Sequence, residues 1–268
     1  MKRRLKLIIL IILAATGMVQ AKDARYAASE YKYIGVFDQG RSAQVIKTTM
    51  YLNVMRKIIR TEWQKGYDID EIKYGNGHWI AVFDKASLQS HQTYVVAGRW
   101  EAIDNILNAY WKEGYYITNI EHGLAKWLVV FEKNTPFTNQ AYERRKTLDA
   151  FVSAVNKRWK MGYDLIDIEY GEGRYTGIFA KGGKYKGQAL TIRSSWYMMA
   201  KMIRQYWEKG YRISNIEFTL GRWMAVFSKY RNEKKQGFET AENIENFQKI
   251  FEKRRQAGYE LTDMAEGW

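Results

Sequence analysis

Three histidines, a total absence of cysteine and a glutamate repeated at one interval set the limits on what chemistry this 268-residue chain can do. His78, His91 and His122 are scattered, and none has a second histidine at metal-ligand spacing. With no cysteine ligands either, the pattern gives no zinc site, and no metal or cofactor is expected. A cysteine nucleophile is excluded and no Gly-x-Ser-x-Gly elbow is present, so nucleophilic catalysis has no obvious centre. Glu121, Glu169 and Glu217 recur every 48 residues. Glycoside hydrolysis needs two carboxyls roughly 5–9.5 Å apart in unlike environments. Identical positions in repeated surroundings do not separate an acid from a base, so the simpler expectation is a charged face paired with nearby lysines.

Basic residues make the stronger pattern. Lys85, Lys133, Lys181 and Lys229 recur at 48 residues, as do His78, Lys126, Arg174 and Arg222. Like charges repeated in this way repel one another, and an anionic partner would offset that cost. An anionic glycan, a lipid headgroup, an acidic protein or a nucleic acid could fill the role. Nucleic acid is the weakest candidate, because no module that binds it is recognisable. The chain is therefore read as a non-enzymatic binding or scaffolding protein with a basic rim. The alternative is a carboxylate-dependent hydrolase of cell-envelope polymers, and a third reading is a structural module that only self-associates.

The same interval organises the whole chain. Tyr67, Tyr115, Tyr163, Tyr211 and Tyr259 each follow a glycine and lie 48 residues apart. Gln44, Gln92, Gln140, Gln188 and Gln236 keep that spacing, as do Trp63, Trp111, Trp159 and Trp207. Five copies of one supersecondary unit follow. Apolar residues at 100, 103, 106, 107, 110 and 111 have the spacing of a buried helical face, ended by Gly114. A short strand follows, then a glycine-bearing turn such as Gly75-Asn76-Gly77, then a second strand such as Trp79–Phe83. That second strand is apolar throughout, which predicts burial on both faces. Nine of the ten tryptophans fall on repeated positions and are read as core, leaving Trp268 outside the pattern. The glutamines, just before each helix, suit a structural role tying a loop to a neighbouring unit, or else line a central pocket.

The unit is thus expected to be strand–strand–helix. The fifth copy stops at Trp268 with no second strand, while Tyr33–Phe37 near the start repeats the second-strand pattern. Pairing the two would leave neither strand as an exposed edge. The expected fold is an α/β repeat: a closed five-fold, propeller-like ring with helices outside, closed by the N-terminal strand. An open solenoid is the alternative.

Lys2, Arg3, Arg4 and Lys6 precede an apolar run from Leu7 to Ala15, and Val19-Gln20-Ala21 suits a cleavage site. Residues 1–21 are read as a signal peptide and 22–268 as one five-repeat domain, exported to the periplasm or secreted. An uncleaved anchor is the alternative, although the run is short for a membrane span, and no stable span remains after cleavage. Removing residues 1–21 takes away four basic groups and no acid, so the formal charge falls from +14 to +10.

The pattern Gln, helix, Trp-x-x-Gly-Tyr, glycine turn, Trp-x-x-Val-Phe-x-Lys, over residues 33–268, resembles an uncharacterised repeat domain. That domain is appended to plant casein-kinase-1-like kinases and also occurs in free-standing bacterial proteins. The resemblance implies no activity, and no kinase motif is present here. The five-fold topology is similar to that of the pentein propellers, whose enzymes use a cysteine that this chain lacks, so the likeness implies fold alone.

Overall fold

A computed structural model of the chain describes residues 31–40, 43–85, 91–183, 185–230 and 235–268. The signal-peptide expectation for residues 1–21 lies outside the described residues.

The elements follow one another in a fixed order. Among the described residues the first element is β1 (Lys32–Gln39). A first unit follows: β2 (Val45–Thr49), α1 (Leu52–Gln64), β3 (Tyr67–Gly75) and β4 (His78–Lys85). The second is β5 (His91–Ala97), α2 (Trp100–Lys112), β6 (Tyr116–Gly123) and β7 (Lys126–Lys133). The third is β8 (Asn139–Arg145), α3 (Leu148–Lys160), β9 (Asp164–Gly171) and β10 (Arg174–Lys181). The fourth is β11 (Tyr185–Arg193), α4 (Trp196–Glu208), β12 (Arg212–Thr219) and β13 (Arg222–Tyr230). The fifth has only β14 (Gln236–Ala241), α5 (Ile244–Gln256) and β15 (Tyr259–Gly267).

Each unit forms a three-stranded antiparallel sheet with its last strand in the middle, as in the order β2-β4-β3. The fifth sheet is β14-β1-β15, so the N-terminal strand supplies the missing middle strand. Tyr33 faces Glu266 and Phe37 faces Leu261 in that pairing. The unit is therefore strand–helix–strand–strand, which corrects the strand–strand–helix expectation. The extra strand was hidden because its five to nine residues are half-buried and mix polar with apolar types, so they lack the run that marks the middle strands.

Middle strands are buried on both faces, as their composition predicts. In β4, Trp79, Ala81 and Phe83 pack with Met55 and Ile59 of α1 and with Leu128 and Val130 of β7. Ile80 and Val82 turn the other way, onto Phe247 and Phe251 of α5 and Phe37 of β1. Among the described residues five such apolar clusters occur, each filling the space between one middle strand and the next.

Strands β3, β6, β9, β12 and β15 stand at the inner side of their sheets, and each touches the next. The succession runs from β3 to β6, β9, β12 and β15, and β15 touches β3. Each inner strand carries a bulge after its third or second residue, as between Ile69 and Glu71 or Ile213 and Asn215. The residue before the bulge has backbone groups that its own sheet does not pair. Those groups are met by the glutamine of the following unit. Gln92 accepts from Ile69 N–H at 2.7 Å and donates to Ile69 C=O at 2.8 Å. Gln140 does the same for Ile117, Gln188 for Leu165, Gln236 for Ile213, and Gln44 for Leu261 of the fifth unit. Trp63, Trp111, Trp159 and Trp207 each donate their indole N–H to the same amide oxygen.

Helices end where glycine takes a left-handed conformation, Gly66 at φ +77° and Gly114 at φ +82°. The two-residue turns between inner and middle strands have both residues at positive φ, as in Asn76-Gly77 and Glu172-Gly173, the conformation that fits hairpin twist.

The amide latch yields a direct test. Replacing buried Gln140 by Leu keeps the bulk but strands the Ile117 N–H and C=O and the Trp111 indole. A loss of about 3 kcal/mol in urea unfolding is expected. A loss below about 0.5 kcal/mol would show that the latch is incidental.

Candidate functional site

Two inward-facing positions of the inner strands bring the charged residues together. The first carries Glu71, Asn119, Asp167, Asn215 and Asp263, and the second Lys73, Glu121, Glu169, Glu217 and Ala265. Side chains two residues apart on a strand share a face, so both sets point to the same side. All nine polar members are buried, with Glu121 at 3% exposure and Glu169 at 5%. The charged face expected at Glu121, Glu169 and Glu217 is thus buried, and the expected pairing with lysine is made by Lys73, to Glu217 and Glu121. Their strands line up against one another instead of against water.

Six carboxyl groups in this cluster share one ammonium. Lys73 Nζ lies 3.0 Å from Glu217 Oε2 and 3.8 Å from Glu121 Oε2. Ala265 occupies the lysine's repeat position in the unit between Lys73 and Glu217, and its small side chain leaves room for that reach. Asn119 donates to Glu71 at 2.8 Å, and Asn215 to Asp167 at 3.0 Å. Asp167 and Asp263 also accept from Ile120 N–H and Ile216 N–H, inner-strand donors of the preceding units. Among the described residues, the carbonyl oxygens of the Asn119 and Asn215 side chains and Oε2 of Glu121 have no hydrogen-bond partner.

Burial dominates the titration of this cluster. It raises Asp167 to about 6, against the opposing pull of Lys73. Burial likewise raises Glu121 and Asp263 to about 8 each, and holds Glu71 and Glu169 well above the usual carboxylate range. Burial alone would lower Lys73, but Glu217 and Glu121 outweigh it and keep the ammonium charged to high pH. The cluster can hold protons at neutral pH. It is poorly built to attack a polymer, because nothing in it is open to water. Among the described residues, surface concavities lie along α5, along α1 and between α3, β11 and α4.

The two basic series occupy opposite ends of the middle strands, about 24 Å apart. At one end, Lys85, Lys133, Lys181 and Lys229 each place Nζ over the ring of the tyrosine that follows the helix, at 4.4–4.9 Å. Lys85 also donates to the Lys65 carbonyl at the end of α1. The fifth unit has Gln39 at the strand-end position, and there Arg254 covers Tyr259. Lys85 and Lys229 are exposed and Lys133 and Lys181 half-buried, and each cation lies against its own aromatic partner.

At the turn end, His78, Lys126, Arg174 and Arg222 open the middle strands and face Gly75, Gly123, Gly171 and Thr219. Lys32 faces Gly267 in the same register and completes the series in the fifth unit. It falls off the 48-residue interval because Phe37 and Gln44 are separated by two residues fewer than the equivalent pair in other units, although it precedes Tyr33 as His78 precedes Trp79. Lys126 and Arg222 are exposed, and His78 and Arg174 are half-buried. His91 is exposed at the start of β5, while His122 packs at a tilt against Trp127 with ring centroids 4.7 Å apart. Partial burial lowers the His122 pKa.

The turns also latch neighbouring units. Glu172 accepts from Trp127 Nε1 at 2.8 Å, from Trp100 N–H at the start of α2 and from Arg144. Trp268 C=O accepts from Trp223 Nε1, and Asn76 donates to the Tyr33 hydroxyl. Leu124 stands at the repeat position of Glu172 in the second unit, and Trp79 at that of Trp127; among the described residues the Trp79 indole has no hydrogen-bond partner.

Carboxyls with raised folded pKa values bind protons more tightly in the folded chain, so stability falls as pH rises from about 4 to about 8. Thermal unfolding should therefore give a higher midpoint at about pH 5 than at about pH 8. Lys73→Met should cost about 3 kcal/mol at the higher pH and clearly less at the lower. A midpoint that climbs across this range, or an equal cost at both values, would refute it. Separately, Leu124→Glu places a carboxylate opposite the Trp79 indole in a backbone conformation that Glu172 already adopts. A gain of about 1 kcal/mol is expected, and no gain would show that the indole is satisfied in another way.

Comparison with curated proteins gives no match. Residues 27–169, slightly more than half of the chain, match a family described as a domain of unknown function (DUF7477), from the N-terminal strand through β9. With more than half of its length accounted for in this way, the chain belongs to the DUF7477 family.

Proposed function

We propose that this protein is an exported, non-enzymatic binding module whose turn end recognises an anionic partner, with residues 22–268 forming one closed five-unit ring. The cyclic succession of inner-strand contacts supports closure, as do the Gln44–Leu261 bonds and the pairing of β1 with β15. Export rests on the basic residues at 2–6, the apolar run at 7–15 and the Val19-Gln20-Ala21 sequence.

One observation carries the binding reading. Five basic side chains, Lys32, His78, Lys126, Arg174 and Arg222, hold one register position at one end of the fold. Repulsion within such a set is relieved by an anion, and attraction across it is long-ranged and weakened by salt. The strand-end lysines are the poorer candidates, because each is already engaged with a tyrosine ring. A hydrolase of envelope polymers has less support still, since Glu121, Glu169 and Glu217 are all buried.

Heparin, used as a general polyanion, separates the two series. The combined Lys126→Gln, Arg174→Gln and Arg222→Gln variant should elute at markedly lower salt than the unaltered protein. The combined Lys85→Gln, Lys133→Gln and Lys181→Gln variant loses the same charge, and should keep its elution while melting at a lower temperature. Equal elution shifts in both variants would mean that net charge alone is being read, and the turn-end reading would fall.

A further inference from the structure

The turn end carries apolar surface as well as charge. Among the described residues, eight of the nine large hydrophobic side chains that are exposed lie at this end of the fold, and Met161 is the exception. Leu124 (56% exposed), Leu220 (60%) and Trp268 (59%) share one repeat position at the turns. Tyr51 and Tyr197, at 63% and 77%, stand where α1 and α4 begin. Those helix starts belong to the same end, because β2 and β11 finish at Thr49 and Arg193, opposite Trp79 and Trp223. Neighbouring turns are also side by side. A Cβ on Gly123 would strike the Tyr74 ring, one on Gly171 the Trp127 ring, and one on Gly75 the Glu266 side chain.

Apolar residues are therefore drawn from the first, second, fourth and fifth units and interleaved with the basic set. A folded protein partner would need a separate complementary pocket for each of them. A bilayer surface meets all of them at once. Leucine and tryptophan at a rim, tyrosine around them and cations between them are what an anionic membrane interface binds. We infer that the turn end docks on an anionic lipid surface. Leu124, Leu220 and Trp268 enter the headgroup layer, and Lys126, Arg174 and Arg222 contact lipid phosphates. This inference rests on the anion-binding reading and names its partner.

Cosedimentation of the full chain with vesicles tests it. The protein should pellet with vesicles of mixed phosphatidylcholine and phosphatidylglycerol, less so in high salt, and not with pure phosphatidylcholine. Leu124→Asn, Leu220→Asn and Trp268→Ser together should weaken that partition by on the order of tenfold or more. They should leave heparin elution unchanged. Asparagine suits the positive φ of these turns, as Asn76 already shows at the same position. The Trp268 contact to Trp223 is made by backbone and survives the change. Met161→Ser at the opposite end should have no effect, and the apolar run near the N-terminus is common to all variants. If the triple variant melts early, Leu220→Asn alone serves.

Three results would overturn the inference: a triple variant that pellets like the unaltered protein, heparin binding without vesicle binding, or a dimer in sedimentation velocity that the triple variant abolishes. The second leaves the anion reading standing. Failure to bind either heparin or vesicles removes both readings.

Discussion

The inner strand of each unit has an edge that its own sheet cannot pair, and the rest of the fold depends on how that edge is satisfied. A buried N–H or C=O without a partner costs on the order of 1–3 kcal/mol, so such an edge cannot be left dry and empty. Here the next unit supplies the partners as side chains. A glutamine amide mimics a backbone pair at Ile69, Ile117, Leu165, Ile213 and Leu261. Aspartates 167 and 263 reach the N–H groups of Ile120 and Ile216. No unit is complete without its successor, which is the usual condition of a repeat fold.

Packing imposes the same dependence. Each middle strand shows one face to its own helix and the other to the helix of the preceding unit, so each apolar cluster is completed by side chains of a neighbour, as Leu128 and Val130 complete the one around α1. This explains why a strand such as Trp127–Phe131 is apolar without alternation, and why each of its residues is fully buried. The fifth unit obeys the same rule with β1 in the middle position, although β1 lies more than two hundred residues from its partner in sequence.

Bringing the inner strands together has an electrostatic consequence. Positions that would be solvent-facing in an isolated hairpin become an interior of six carboxyls and one lysine. A single ammonium cannot balance six carboxylates, so protons remain on several of them, with burial as the cause. The interior is thereby filled by structural chemistry, and the outward chemistry is left to the two ends. One end has its lysines folded onto tyrosine rings. The other presents lysine, arginine, leucine and tryptophan to solvent.

The sequence by itself determined the period, the number of units and the helix ends, because each rests on local chemistry. Glycine adopts positive φ cheaply wherever it stands, and a buried helical face needs apolar residues at helical spacing whatever its neighbours are. The two-faced middle strands and the partnership of Tyr33–Phe37 with Tyr259–Ala265 were legible for the same reason, one as composition and the other as an element missing from one terminus and spare at the other. Only the tertiary structure decided what depends on the meeting of distant units. It made a strand of the weakly patterned segments at and after each glutamine, by giving them a middle strand to pair with. It buried Glu121, Glu169 and Glu217, whose carboxylates look solvated in any single repeat. It also set Lys32 opposite Gly267, level with the basic residues of the other sheets, since register across a sheet is fixed by hydrogen bonds and not by distance along the chain.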